Sequence, residues 1–166
     1  MLEWIGATCI VAGAGLSGID IYTQRKKELD TTEAFLKTIV FLKEETHYTK
    51  TMLETIFVKC ASMNSITSSF YNNIAAGLKN GKSLNQLWKD EIECVQNLSD
   101  ALKIDLIEIG EVLGVVELDM QDNIISYKIE KIRHIKDELE QDLKGKCKLY
   151  PKIGFGVGAM LAVLLI

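Results

Sequence analysis

Residues 9–20, CIVAGAGLSGID, place Gly13, Gly15 and Gly18 in a G-x-G-x-x-G spacing behind an apolar run. In a strand-to-helix turn, that spacing lets the backbone approach a dinucleotide pyrophosphate at a helix N-terminus. Such a site needs a second parallel strand ending in an acid about 20 residues on. The acid at that distance is Glu33, but Leu29, Leu36, Ile39 and Leu42 around it keep helical spacing. No later βαβ pattern appears, so the glycines carry no expectation of a bound nucleotide. Metal chemistry fares no better. Glu44 and His47 form one Glu-x-x-His unit of the kind found in di-iron bundles, and such a site needs a second. The other histidine, His134, has Lys131 three residues before it. Glu108 and Glu111 could pair as acid and base, yet no nucleophile or third group accompanies them. Cys9, Cys60, Cys94 and Cys147 are widely spaced, with no C-x-x-C, and read as reduced, small apolar residues. The expectation is a protein that is not an enzyme, with no catalytic residue, no cofactor and no metal.

The elements that hold these residues explain the glycines better. No charged residue lies within residues 4–19 or 153–166, and every Lys and Arg falls between Arg25 and Lys152. Residues 4–19 would make about 24 Å of helix and residues 149–166 about 27 Å, close to the ~30 Å hydrocarbon core of a bilayer. Trp4, Tyr22 and Tyr150 flank them as interfacial aromatics would, and Lys152 can snorkel. Small residues four apart, Cys9, Gly13 and Ser17 in the first segment and Gly154, Gly158 and Ala162 in the second, suit close packing of membrane helices. Arg25, Lys26 and Lys27 after the first segment, and Lys144, Lys146, Lys148 and Lys152 around the start of the second, put the intervening chain in the cytoplasm.

The charged middle reads as helix throughout, and the chain's one proline is Pro151. Leu36, Ile39, Leu42, Leu53, Ile56 and Phe57 keep helical spacing, with a break between Thr46 and Thr51. Ser65 is expected to cap a helix burying Ile66, Phe70 and Ile74, and Gly77 and Gly81 to end it with positive φ. Ser83 and Ser99 are further expected caps. Leu84, Leu87, Trp88, Ile92 and Val95 face inward after the first, and Leu102, Leu106, Ile109 and Leu113 after the second, with Gly114 ending that helix. A long helix from Asp119 has a seam at Ile125, Ile129, Ile132, Leu139 and Leu143, an outward Glu140–Lys144 pair, and Gly145 as a hinge. With 166 residues and a net charge of −4, no basic stripe exists for nucleic acid. The fold expected is all-α: a cytoplasmic antiparallel bundle of about five or six helices over residues 23–148. One transmembrane helix flanks it at each end, over residues 1–22 and 149–166.

Several short stretches stand out together: Gly6-Ala7, Gly18, Tyr22 and Arg25 at the N-terminus, LKEETHY (Leu42 to Tyr48) followed by Leu53, Trp88, and GEVLGVVELDMQ with Gly110, Glu111, Leu113, Gly114 and Gln121. Taken together they resemble the stage III sporulation protein AB family of endospore-forming bacteria. Where that family often has Asp, this chain has Glu117. The resemblance implies a helical domain similar to the cytoplasmic domains of type II secretion and type IV pilus platform proteins. It also implies a place in the channel complex between mother cell and forespore, in the mother-cell membrane. The role expected is a non-catalytic adaptor between a secretion-type ATPase, other membrane components of the channel, and lipid. Its partner-binding residues would be Glu45, Tyr48, Glu108, Gly110, Glu111, Gly114, Glu117 and Gln121, with Glu108, Glu111 and Glu117 as an acidic docking surface. The alternative is a membrane-anchored helical protein that self-associates through its small-residue faces, without an ATPase.

Overall fold

A computed structural model of the chain describes the backbone of residues 2–48, 52–115, 117–147 and 160, and the side chains of residues 19–46, 52–115, 117–145 and 160. The described residues form six α-helices and no strand. They are α1 (Leu2–Tyr48), α2 (Leu53–Met63), α3 (Ser65–Lys79), α4 (Leu84–Cys94), α5 (Asp100–Val112) and α6 (Leu118–Asp142), followed by a π-helical turn over Leu143–Cys147. The chain divides into two compact units, Asp30–Lys136 and Met1–Leu29 with Asp137–Ile166.

Among the described residues, no helix is long and apolar enough to cross a membrane. The two apolar segments expected to do so fall, apart from Ile19 and Met160, outside the residues whose side chains are described. So do Cys9, Gly13, Ser17, Gly154, Gly158 and Ala162. The backbone of α1 runs through the first segment and continues without a break past Tyr22.

The Asp30–Lys136 unit is built on an aromatic core. Phe35, Phe57, Phe70, Tyr71 and Trp88 are buried together. Phe70 meets Trp88 edge-on at 5.0 Å and Phe35 at 5.2 Å between ring centroids, while Phe57 stacks on Tyr71 at 6.1 Å. Edge-to-face geometry lets positive ring edges meet negative faces, which adds to what burial alone supplies. Both polar handles are satisfied. The Trp88 indole N–H donates to the Leu106 carbonyl at 2.7 Å, and the Tyr71 hydroxyl donates to Thr38 Oγ1 at 2.9 Å. Burial, with the neighbouring Cys60, holds the Tyr71 phenol above its ordinary range, and burial pushes the Cys60 thiol up to about 12.

Local details depart from the expectations in instructive ways. Asn64, not Ser65, caps α3, its side-chain oxygen accepting the Ile66 N–H at 2.9 Å. Phe70 and Ile74 are buried as expected, whereas Ile66 is exposed and Thr67 is buried in its place. Ser99 caps α5 through the Leu102 N–H, whereas Ser83 precedes α4 without a side-chain bond. Gly81 has the expected positive φ, but Gly77 lies inside α3, where a Cβ would stand 2.6 Å from Leu87 Cδ1. Its role is the close approach of α3 and α4, not the end of a helix. The expected Glu140–Lys144 pair is present.

Candidate functional site

The α5–α6 turn is fixed from both sides. Leu113 N–H closes α5 on the Ile109 carbonyl, and Gly114 then takes φ +76°, a conformation that costs a residue with a Cβ about 1–2 kcal/mol. The Gly114 N–H donates to the Gln121 side-chain oxygen at 3.0 Å. Gln121 is buried in the first turn of α6, and its own N–H donates to the Glu117 carbonyl at 2.9 Å. Asp122 pairs with Lys43 of α1 at 3.3 Å. The turn is therefore held by hydrogen bonds and an ion pair as well as by packing.

Under the turn, α5 and α6 share a buried charge network that helical spacing did not foretell. Lys128 Nζ and Lys131 Nζ both donate to Asp105 Oδ1 at 2.7 Å, and Lys128 also pairs with Glu108. Asp105 and Lys128 are both buried. Burial would raise the Asp105 carboxyl, but the hydrogen bonds from Lys128 and Lys131 outweigh it and hold the carboxyl below its ordinary value. Burial would likewise lower the Lys128 ammonium, but Asp105 and Glu108 outweigh it and hold the ammonium above the usual lysine range.

These contacts sort the residues expected to bind a partner. Gly110 and Gln121 are buried. A Cβ on Gly110 would stand 2.3 Å from Trp88 Cδ1, so the missing side chain is what lets the indole lie on α5. Glu108 is engaged by Lys128, and Glu45 by Lys59 of α2 at 2.8 Å. The side chain of Tyr48, like that of His47, lies outside the described residues. Gly114 is exposed at the turn, and Glu111 and Glu117 are exposed with no ion pair among the described residues. Of the acids expected to form a docking surface, Glu111 and Glu117 are thus the two exposed without an ion pair among the described residues, and Asp119 near them is also exposed.

No group of three His, Cys, Asp or Glu side chains among the described residues is placed to hold a metal ion. A cleft of about 260 Å³ opens in the same unit between α1, α3 and the end of α4, lined by Thr31, Phe70, Glu91 and Asn97 among others. Its volume falls below the usual range for small-molecule sites, and none of the residues expected to bind a partner lines it.

The family model described as stage III sporulation protein AB matches residues 3–166. The chain belongs to the stage III sporulation protein AB family. That match spans both apolar segments and the whole helical unit, so the resemblance seen in short stretches extends along the chain. Membership assigns it a role in stage III of sporulation. Searches of curated proteins and of solved structures return no match.

Proposed function

We propose that the protein is a non-catalytic, membrane-anchored adaptor of the mother cell–forespore channel, coupling a cytoplasmic secretion-type ATPase to the other membrane components. In this reading, residues 4–19 and 149–166 lie in the mother-cell membrane facing the forespore, and the helical unit faces the cytoplasm. Membership of a stage III sporulation family supports the setting. The first segment carries no charge and the second only Lys152, near its start, which supports the anchoring.

One observation carries the adaptor role: Glu111, Glu117 and Asp119 stand exposed and, among the described residues, without ion pairs, beside a turn held by the Gly114–Gln121 hydrogen bond and the Asp122–Lys43 pair. Most other acids of the unit have partners, such as Glu45 with Lys59, Glu54 with Lys79 and Asp122 with Lys43. A rigid acidic rim of this kind steers a basic partner surface and fixes its register.

The test is capture of the purified ATPase by the full chain in detergent. Glu111→Lys with Glu117→Lys should weaken capture by about tenfold or more at low salt, by slowing association, with unchanged helical circular dichroism. Capture that survives the double reversal unchanged removes the acidic rim from the coupling.

A further inference from the structure

Apolar side chains stand exposed where those unpaired acids lie. Val115 is 69% exposed, Leu118 57%, and Met52, just before α2, 79%. They belong to one neighbourhood. A Cβ on Gly114 would stand 3.3 Å from Leu53 Cδ1, so the start of α2 lies against the turn, and Leu118 and Gln121 of α6 line a crevice with Lys43 and Thr46 of α1. Exposed single apolar residues are ordinary; a group of them inside a charged rim on a fixed turn is the anatomy of an interface centre.

We propose that Met52, Val115 and Leu118 form the apolar centre of a docking surface, and that its occupant is a protein with an apolar cleft edged by lysines or arginines. The inference rests on the adaptor reading and names the chemistry of its contact. Charge decides among occupants. Between Gly110 and Gln121 the chain carries Glu111, Glu117 and Asp119 and no basic residue. Anionic headgroups would be repelled by that rim. A second copy meeting the same patch across a two-fold axis would set acid against acid. A basic-edged cleft satisfies both the rim and the apolar centre. The Gly114–Gln121 hydrogen bond and the Asp122–Lys43 pair fix the turn beforehand, so binding loses little ordering entropy.

The experiment is binding of the purified secretion-type ATPase to the full chain in detergent, followed kinetically over a salt series. Val115→Ser with Leu118→Ser should weaken binding by about tenfold or more at every salt concentration, through faster dissociation. Glu111→Lys with Glu117→Lys should act mainly on association and its salt dependence. Both serine sites are exposed, so helicity and the urea midpoint should not move, and Met52→Ser gives a second variant away from α6. If the serine variant binds the ATPase as tightly as the unaltered chain, the apolar centre is overturned while the adaptor reading stands. If the unaltered chain does not bind the ATPase, the adaptor reading falls and the assigned occupant with it. If the serine substitutions instead abolish self-association or binding to anionic vesicles, the surface faces a second copy or lipid, and the assigned occupant is wrong.

Discussion

At the scale of single residues, the glycines of this chain do three different things that a spacing motif cannot separate. Gly114 supplies a positive φ. Gly77 makes room for Leu87, and Gly110 makes room for an indole ring. The last case is the most constrained. Trp88 is fully buried among Phe57, Phe70 and Tyr71, and its N–H is committed to the Leu106 carbonyl, so the ring cannot retreat from an added methyl. Gly110→Ala therefore sets an overlap costing about 3 kcal/mol against a helix-propensity gain of about 1 kcal/mol. The net expectation is a loss of about 2 kcal/mol, read as a lower urea midpoint at unchanged slope. A variant as stable as the parent would mean that the indole has another place to go.

At the scale of elements, α5 and α6 are joined by the Asp105–Lys128–Lys131–Glu108 network, and its pH dependence has a definite sign. The Asp105 carboxyl titrates lower in the folded chain than its unfolded value of about 3.9. Its contribution is complete above that value and is lost as pH falls through the lower folded value. The Lys128 ammonium titrates higher than its unfolded value of about 10.4. Its contribution is complete below that value and is lost as pH rises through the higher folded one. Stability should therefore hold level from this network between about pH 4 and pH 10 and fall on either side. Lys128→Met leaves a buried carboxylate with Lys131 alone and should cost about 3 kcal/mol. Adding Asp105→Leu should restore much of that, because both buried charges then leave together. Chemical denaturation of the single and double variants across pH measures both effects. A double variant no better than the single would show that the network specifies packing beyond its charges.

The same elements show what a linear reading can and cannot see. The inward positions of α5 and α6, Leu102, Leu106, Ile109, Ile125, Ile129 and Ile132, were legible because burial imposes a 3.6-residue period. The break after Tyr48 and the Ser99 cap were legible because turn and cap chemistry is local. Asp105 and Lys128 were not. Each interrupts an apolar stripe as a charge would on a solvated face, and only the packing of α6 on α5 brings a residue 23 positions away to neutralise it. Of the candidate site, the turn and its glycines were readable, but the sorting of its acids was not. Whether Glu108 or Glu111 is free depends on where Lys128 reaches, and that is a tertiary fact. The apolar centre of the turn escaped for the opposite reason: Val115 and Leu118 follow an amphipathic run and look like its continuation into the core.

At the scale of the whole molecule, the adaptor reading requires that the apolar segments reside in lipid. Each segment alone is about 3–6 Å shorter than a typical hydrocarbon core, a mismatch that thinning or snorkelling accommodates at fractions of a kcal/mol per Å. Against that stand sixteen consecutive uncharged residues in the first segment and fourteen in the second. Transfer of their apolar side chains to lipid is favourable at each Leu, Ile, Val and Phe, and an isolated Lys at the centre of a span costs about 3 kcal/mol. Two spans joined by one chain multiply each other's retention, since release of one leaves the other to rebind at high local concentration. The full chain should therefore sediment with membranes, stay there through an alkaline carbonate wash, and enter the supernatant only with detergent. Val11→Lys or Val157→Lys alone should leave most of the protein in the pellet, whereas the two together should release a measurable fraction. In the adaptor reading the positive flanks at residues 25–27 and 144–152 share the cytoplasmic side, so protease added to inverted vesicles should cleave the helical unit, and protease added to intact spheroplasts should not. A full chain that remains in the supernatant without detergent would leave the acidic turn with no membrane to couple to.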